Sequence, residues 1–380
     1  MKYRIISLLL VLSSLAACAQ EQQQAATQPS PNALAAAPST ASPDATSIPT
    51  QPTSEPSPSA TSTVAPTATT APTATVVPPT ATPPPPTPTT NAFAQYEQFT
   101  IEGLRARSYG EGEIEVVRTL EELPNFTRSL FTYRGDGLRL TGMLNRPRGP
   151  GPFPVVILVH GYYPLDVYQT GNGTKLAADF LANRGFMTLS PDLRSHAESD
   201  DAPNQFRAGH VIDVLHLIPL AQKLPSVQPG KVGLWGHSNG GAIAAKVMVI
   251  SDQVAATLIY APASLTIAED YQFRVERAAA RGAQIDPVEW PVKPDQGPEL
   301  YQRLSPLPYL QYANMPVQIH WGTADEVVPR KWPEDLYNGL KAAGKNVEWF
   351  EYPGQPHSLT GQANQTYLQH MVEFFRQNVR

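Results

Sequence analysis

The pattern of hydrophobic and polar residues along this 380-residue chain changes near residue 93. Beyond that point, short continuous apolar runs alternate with longer segments in which apolar residues recur at helical spacing. Short apolar runs that end at glycine, proline or aspartate are typical of strands buried on both faces of a sheet. Strands that alternate with helices in this way predict an α/β fold with a mostly parallel, doubly wound sheet.

The predicted elements follow one another in a regular order. Strands are predicted at residues 154–160, 186–190, 231–235, 255–260, 317–321 and 347–352. Helices are predicted at residues 176–184, 209–224, 242–250, 335–343 and 366–377. Ahead of them, residues 131–144 form two short apolar runs joined at Gly135-Asp136-Gly137, which is a composition typical of a hairpin turn. We expect this hairpin to be an antiparallel edge on the parallel sheet.

One region interrupts the alternation of strands and helices. Residues 262–314 contain no strand candidate, but they include a helical run at 268–281 and a proline-rich stretch. We expect a helical cap insertion that lies over the carboxyl edge of the sheet and sets the choice of substrate. Arg274 and Arg277 could face an anionic group there, although charged residues on a helix more often face solvent.

The N-terminal part of the chain has a different character. Residues 18–92 consist almost wholly of Pro, Thr, Ala, Ser and Gln, and they include no aromatic residue. Such a segment cannot bury enough apolar surface to offset the entropy of ordering, so we expect a disordered tether before a hydrolase domain at residues 93–380. A stalk and a spacer without a selected length are both consistent with this composition.

Residues 1–17 predict a signal peptide, because Lys2 and Arg4 precede an apolar run that is too short to cross a membrane comfortably. The next segment, Leu15-Ala16-Ala17-Cys18, resembles the lipobox of bacterial lipoproteins. The resemblance implies lipidation of Cys18 and an extracytoplasmic protein of the cell envelope, lipid-anchored to a bacterial membrane. The alternative is an ordinary secretory signal whose cleavage site contains a cysteine. Cys18 is the only cysteine in the sequence, so the domain can form no internal disulfide.

Charge and motif content exclude several classes of partner. The formal net charge is −5, and no basic cluster follows the signal region, so nucleic acid is not an expected partner. No spacing of Cys and His suggests a zinc site, and no glycine-rich phosphate loop is evident. We therefore expect no metal, no cofactor, and a small-molecule or peptide substrate.

The most informative motif is Gly236-His237-Ser238-Asn239-Gly240. It follows a predicted strand and precedes a predicted helix, and this arrangement raises a serine hydroxyl above a sheet as a nucleophile. A chance match is expected in roughly one chain in eight of this length, because glycine makes up about 7% of residues and serine is taken as similar. The assignment of Ser238 therefore depends on finding a base, an acid and an oxyanion hole.

A serine hydroxyl needs a general base, and we predict His357. His357 stands in a loop directly after the last predicted strand, where open α/β sheets place their catalytic residues. The remaining seven histidines lie in predicted helices, inside a strand, within the serine motif or on neighbouring loops: His210, His216, His370, His320, His237, His160 and His196. For His160 we expect a structural role beneath its loop.

The acid and the oxyanion hole complete the predicted site. Asp325 follows the strand at 317–321 and would orient His357, with its neighbour Glu326 as the close rival. The backbone N–H groups of Asn239 and Tyr162 are the predicted oxyanion donors. On the next loop we expect three residues to shape the site without reacting: Asp192, Arg194 and His196.

The order Ser238, Asp325, His357 is that of α/β-hydrolases. From about residue 131 onward the chain resembles this superfamily and, within it, the catalytic domain of the prolyl oligopeptidase family. The segments that carry the resemblance are residues 235–241, 322–329, 336–344 and 352–357. It implies a serine peptidase that forms an acyl-enzyme.

The chain departs from full-length prolyl oligopeptidases, because the residues before 131 are too few for their β-propeller. Relatives without a propeller include carboxylesterases of the dienelactone hydrolase and acetyl esterase type. A serine-type peptidase is therefore our first expectation and a carboxylesterase the alternative. A binding lipoprotein that has lost catalysis is the third.

Overall fold

A computed structural model describes residues 92–380. The predicted signal peptide, Cys18 and the predicted tether up to residue 91 lie outside the described residues. The strands are β1 Glu115–Glu122, β2 Phe126–Gly135, β3 Leu138–Pro147, β4 Val155–Val159, β5 Met187–Pro191, β6 Val232–His237, β7 Val254–Tyr260, β8 Val317–Gly322 and β9 Val347–Tyr352.

The helices alternate with the strands from β4 onward. They are α1 Ile101–Arg105, α2 Lys175–Ala182, α3 Ala208–Ala221, α4 Asn239–Ile250, α5 Ile267–Ala279, α6 Pro298–Leu304, α7 Lys331–Ala342 and α8 Gly361–Asn378. Short 3₁₀ helices occur at Ala94–Phe99, Gln205–Arg207 and Leu307–Tyr312. Among residues 92–380, no helix combines the length and the apolar character needed to cross a bilayer.

One sheet holds all nine of these strands, in the order β1-β2-β3-β5-β4-β6-β7-β8-β9. The pairs among β1, β2, β3 and β5 are antiparallel. The pairs from β5 through β4 to β9 are parallel. The predicted α/β class with a mostly parallel sheet is therefore confirmed. The chain runs from β4 outward to β5 and then returns to pair β6 on the other side of β4. Ligands bind at the carboxyl ends of strands beside such a reversal.

Strand β4 shows why the apolar runs form central strands. All five of its residues are buried, and alternate side chains enter the two hydrophobic layers on opposite faces of the sheet. Val155, Ile157 and Val159 pack with α3 and α4, whereas Val156 and Leu158 pack with α2 and α8. Because both faces are covered, the strand needs a continuous apolar run and not an alternating one.

The hairpin forms where the sequence predicts it, with the turn between Gly135 and Leu138. It is not the edge of the sheet, however, because β1 pairs with the outer side of β2. Every residue of β1 is exposed, so its sequence carries no apolar signal by which this strand could be recognised. The predicted last helix also begins earlier than expected, at Gly361 and not at residue 366.

Residues 262–314 contain α5, α6 and the 3₁₀ helix Leu307–Tyr312, and within this described segment no strand forms. A separate apolar cluster joins this cap to the start of the domain: Phe206, Ile267, Trp290, Val292, Leu300, Tyr301 and Leu304, with Phe93, Tyr96 and Phe99 packed against it. We call it the cap cluster. It fixes α5 beside the N-terminal end of α4, where Arg274 reaches Asn239.

Candidate active site

The serine motif forms a sharp turn between β6 and α4. Ser238 has φ 57° and ψ −122°, a conformation that is strained for a residue with a side chain. A Cβ on Gly240 would overlap the backbone oxygen of Val159, and a Cβ on Gly236 would overlap that of Gly240. Both glycines are therefore required by close backbone approach. The turn projects Ser238 from the carboxyl end of a central strand.

Asp325 and His357 come from the two neighbouring loops, after β8 and β9. The Nδ1 atom of His357 lies 2.8 Å from Oδ2 of Asp325, whose side chain is fully buried. The other carboxylate oxygen accepts the backbone N–H groups of Val327 and Val328, each at 2.8 Å. The rival Glu326 accepts instead from the backbone N–H of His357, at 3.3 Å. Asp325 is thus the carboxylate in contact with the imidazole, and Glu326 is not.

His237, inside the serine motif, supports the position of His357. Its Nε2 lies 3.1 Å from the backbone oxygen of His357, so this nitrogen carries the hydrogen and donates it. The His237 ring stacks on Tyr260 at 4.3 Å and lies 4.7 Å from the His357 ring. Burial lowers the pKa of His237 to about 3, so the ring is neutral at ordinary pH. The local sequence predicts no role for His237, because nothing in the motif indicates that its ring reaches the loop of His357.

The loop after β4 passes directly beside the serine. A Cβ placed on Gly161 would lie 3.2 Å from the Cβ of Ser238. Tyr162 follows in this loop, and Asn239 is the first residue of α4, whose N-terminal amides have no partner within the helix. Among residues 92–380, no hydrogen bond joins the Ser238 hydroxyl to His357. In substrate-free enzymes that contact commonly tightens only in the complex.

The next rim loop is built from buried polar residues. Asp192 accepts hydroxyl groups from Thr141, Thr170 and Tyr168 at 2.6 to 3.0 Å, and burial raises its pKa to about 6. Both ring nitrogens of His160 face backbone oxygens, those of Gly161 and Asp192.

Arg194 forms a buried ion pair with Asp213 at 2.7 Å. Nδ1 of His196 lies 3.0 Å from the backbone oxygen of Arg194. These contacts tie the rim loops to one another and to α3, and the role of these residues in shaping the site stays a prediction.

A group of charged residues beneath the cap was not anticipated. Arg207 and Lys246 line a cleft together with Asn239, the residue after Ser238. Lys246 is 2% exposed. A lone lysine within the apolar run 242–250 is the signal that could have revealed it. The position of Arg207 carries no such signal, because its role depends on where the cap packs.

One cluster of potential metal ligands lies far along the chain from these loops. Glu111, Asp136 and His216 bring ligand atoms within 4.8 Å of one another. However, Oδ1 of Asp136 already contacts both His216 Nε2, at 3.1 Å, and the guanidinium of Arg107. These two contacts account for Asp136 and hold the hairpin turn, so the cluster gives no reason to infer a metal site.

Comparison with known proteins adds family evidence. The sequence model described as the prolyl oligopeptidase family matches residues 173–380, which is more than half of the chain. Esterase EstD of Thermotoga maritima is 30% identical over 128 residues, 33% of this chain and 31% of that esterase. The peptidase YtmA of Bacillus subtilis, described as uncharacterized, is 22% identical over 244 residues, 64% of this chain and 91% of that protein. The match thus spans less than a third of the esterase but nearly all of the peptidase.

Solved structures agree on the architecture. Acetyl xylan esterase 1 from a Thermoanaerobacterium species superposes with a TM-score of 0.56 at 17% identity, covering 75% of this chain and 94% of that one. At this identity the likeness establishes the fold alone. The α/β-hydrolase fold expected from the order of the motif residues is confirmed.

Proposed function

Since the chain belongs to the prolyl oligopeptidase family and is a serine hydrolase, we propose that it cleaves an acyl bond through a covalent acyl-enzyme on Ser238. Asp325 and His357 complete the triad, and the amides of Asn239 and Tyr162 form the oxyanion hole. The observation that carries the proposal is the 2.8 Å contact between His357 Nδ1 and a buried carboxylate beside the strained serine turn.

The proposed mechanism follows from this orientation. Because Nδ1–H of His357 donates to Asp325, its Nε2 carries the lone pair and accepts the Ser238 proton. The serine oxygen then bonds to the acyl carbon, and two backbone N–H groups stabilise the oxyanion. His357 next protonates the leaving group as the acyl–leaving group bond breaks. Water, deprotonated by the same imidazole, hydrolyses the acyl-enzyme and regenerates the serine.

The bond we assign first is a peptide bond, as in a serine-type peptidase of prolyl oligopeptidase type. An ester is the second candidate, as in a carboxylesterase, and the similarity to the Thermotoga esterase favours it. Both reactions use the same acyl-enzyme and differ in whether His357 protonates an amine or an alkoxide. A non-catalytic binding role is the remaining alternative, and the ordered Asp325–His357 pair argues against it.

The test compares the wild-type protein with Ser238→Ala. We expect wild type to react with a fluorophosphonate probe and to hydrolyse para-nitrophenyl acetate, and Ser238→Ala to do neither. Parallel assays on aminoacyl anilides and short-chain alkyl esters then assign the bond. Undiminished labelling of Ser238→Ala would exclude Ser238 as the nucleophile, and a wild-type protein that does not label would favour the binding role.

We also propose that the enzyme acts outside the cytoplasm, held at a bacterial membrane by acyl chains on Cys18. The support is the segment Leu15-Ala16-Ala17-Cys18 after a basic and apolar leader. Each buried CH₂ of an acyl chain contributes about 0.8 kcal/mol to membrane binding, so several chains on one residue form a stable anchor. Expression in a bacterial host with an alkyne-labelled fatty acid should label wild type and not Cys18→Ser. Equal membrane recovery of both would refute the anchor.

A further inference from the structure

The cleft beneath the cap begins at the residue that follows the serine. It lies between α4 and α5, and its walls include Arg207, Asn239, Lys246 and Asp270. The cleft therefore begins at Asn239, one of the two residues whose amides form the proposed oxyanion hole.

Two arginines converge on one neutral oxygen at this opening. Nη2 of Arg274 and Nη2 of Arg207 lie 3.1 and 3.4 Å from Oδ1 of Asn239. Each guanidinium is held from its other side, Arg274 by Asp270 at 2.7 Å and Arg207 by Glu289 at 3.4 Å. Acid partners thus fix both arginines and leave one edge of each turned towards Asn239. Two fixed cations that share an amide oxygen are arranged to receive a stronger acceptor.

The backbone conformation at Arg207 and the repulsion between the two arginines also favour a bound anion. Phe206 and Arg207 have φ of 47° and 60°, a conformation uncommon for residues with a side chain, and it delivers Arg207 to the cleft. Burial, together with the neighbouring charge of Arg274, lowers the pKa of Arg207 to about 10. An anion between the two guanidinium groups would relieve that repulsion.

Three buried polar atoms of cleft residues have no hydrogen-bond partner among residues 92–380: Nε of Arg207, Nζ of Lys246 and Oδ1 of Asp270. Lys246 is 2% exposed and Asp270 is 3% exposed, so bulk solvent does not satisfy the last two. Leaving a buried charged group without a partner is costly, which indicates that the cleft accommodates a polar group. Arg207 and Lys246 line the cleft with Asp270, and Arg274 reaches Asn239 at its edge. The two arginines keep their positive charge at neutral pH and supply the attraction for an anion.

We propose that this cleft binds the carboxylate of the substrate, so that the enzyme prefers acyl donors that carry a negative charge near the bond it cleaves. The inference rests on the proposed function, because it assigns a substrate class to the same site. Arg207 and Arg274 bind the carboxylate. Because both arginines contact Asn239, the residue after Ser238, the carboxylate binds close to the serine.

The competing explanation is that the arginines only fasten the cap and that water fills the cleft. In that case the ion pairs to Asp270 and Glu289 are their whole role. Such a site would confer no preference between a charged substrate and its neutral counterpart. A preference measured on matched pairs therefore separates the two explanations.

The experiment uses two pairs of esters in which only the charge differs. One pair is the para-nitrophenyl ester of adipic acid, with its second carboxyl free or methylated, which places the charge on the acyl side. The other is para-acetoxybenzoate and its methyl ester, which places the charge on the leaving group. For wild type we expect kcat/KM for the anionic member to exceed that for the neutral member by about tenfold or more in at least one pair.

Arg274→Gln and Arg207→Gln should each lower that anionic-to-neutral ratio about tenfold. Arg277→Gln is the matched control, because Arg277 is on the same helix but is exposed and lies over the Phe273 ring at 5.3 Å. It should keep the wild-type ratio. Fluorophosphonate labelling of each variant verifies that the site remains folded, and the ratio is independent of the amount of active enzyme.

The outcomes are distinct. A wild-type ratio near one in both pairs, or a ratio that Arg277→Gln lowers as much as Arg274→Gln does, overturns the carboxylate site and leaves the serine hydrolase intact. A wild-type protein that neither labels nor hydrolyses any of the four esters overturns the proposed function, and the carboxylate site falls with it.

Discussion

Two buried aspartates, one in contact with His357 and one beneath the cap, differ in how completely they are partnered. Both oxygens of Asp325 are occupied, one by His357 and the other by two backbone amides. Asp270 beneath the cap uses one oxygen for Arg274, and its other oxygen has no partner within the described domain. Both oxygens of the first carboxylate have hydrogen-bond partners without a substrate. The second keeps one oxygen that only a hydrogen-bond donor can satisfy, so the substrate carboxylate alone does not complete it.

In the proposed enzyme, chemistry and selectivity are divided between these two sides. The triad side is assembled from loops at the ends of central strands, and backbone groups fix its geometry. The cleft side is assembled from side chains that the cap brings together, with unsatisfied polar atoms pointing inward. We therefore expect substitutions at Asp325 to remove activity towards every substrate. Substitutions in the cleft should change which substrate is preferred or how stable the fold is.

The largest effect is expected from a substitution of Asp325, the aspartate whose two oxygens both have partners. In Asp325→Asn, the amide no longer stabilises the imidazolium and can hold His357 in the wrong tautomer. We expect kcat for para-nitrophenyl acetate to fall by about 10³ to 10⁴. Glu326→Gln is the matched control: its carboxylate contacts the backbone of His357 and not the ring, so we expect less than about a threefold change. Equal losses in both variants would contradict the assignment of Asp325.

The second test removes the unpartnered cation from the cleft. Burial lowers the pKa of Lys246 from 10.5 to about 7. The unfolded chain therefore binds one proton more than the folded chain between pH 7 and 10.5, so wild-type stability rises with pH through that window. Below pH 7 both states are protonated, and the cost of the buried charge is constant.

Lys246→Met keeps most of the side-chain volume and removes the cost of burying the charge, together with its pH dependence. We expect the variant to be more stable than wild type at pH 7, with an advantage that shrinks by about 2 kcal/mol when the pH is raised by about two units. Urea unfolding at the two pH values measures it. Lys231→Met, at an exposed lysine, should show no such pH dependence. An advantage of Lys246→Met that does not change with pH would contradict the buried-charge explanation.

The third test concerns the contact that joins the serine motif to the base loop. His237→Phe keeps an aromatic ring against Tyr260 but cannot donate to the backbone oxygen of His357. We expect kcat to fall about tenfold with little change in KM, since one hydrogen bond that positions the base is lost. His237→Gln restores a donor and should recover most of the rate. Identical kcat in His237→Phe and wild type would show that the contact does not position His357.

Much of this arrangement is predictable from sequence because it depends on local patterns. Strands such as β4 are recognisable since both faces are covered and the residues are continuously apolar. Ser238, Asp325 and His357 each follow a predicted strand, and parallel strands end at one edge of a sheet. The contact between Asp325 and His357 follows from that geometry. Their catalytic roles, and those of Tyr162 and Asn239, stay predictions.

The features that could not be predicted from the sequence depend on packing between distant segments. Strand β1 is exposed on both sides, so its residues carry no periodic signal. The convergence of Arg207 and Arg274 on Asn239 requires the cap to fold over α4, and no local pattern specifies that contact. Of the two arginines considered on the cap helix, Arg274 faces the site and Arg277 faces outward, a distinction that helical spacing alone did not make.

The 3₁₀ helix at Ala94–Phe99 has a mechanical consequence. Tyr96 contacts Phe206 of the cap cluster at a ring distance of 5.3 Å, and Glu97 pairs with Arg303 of the cap at 2.6 Å. Tension that travels along the chain from its N-terminal side reaches this helix before it reaches the sheet. A pull on the domain would therefore act first on the contacts between this helix and the cap, before it reaches α1 and the core against which α1 packs.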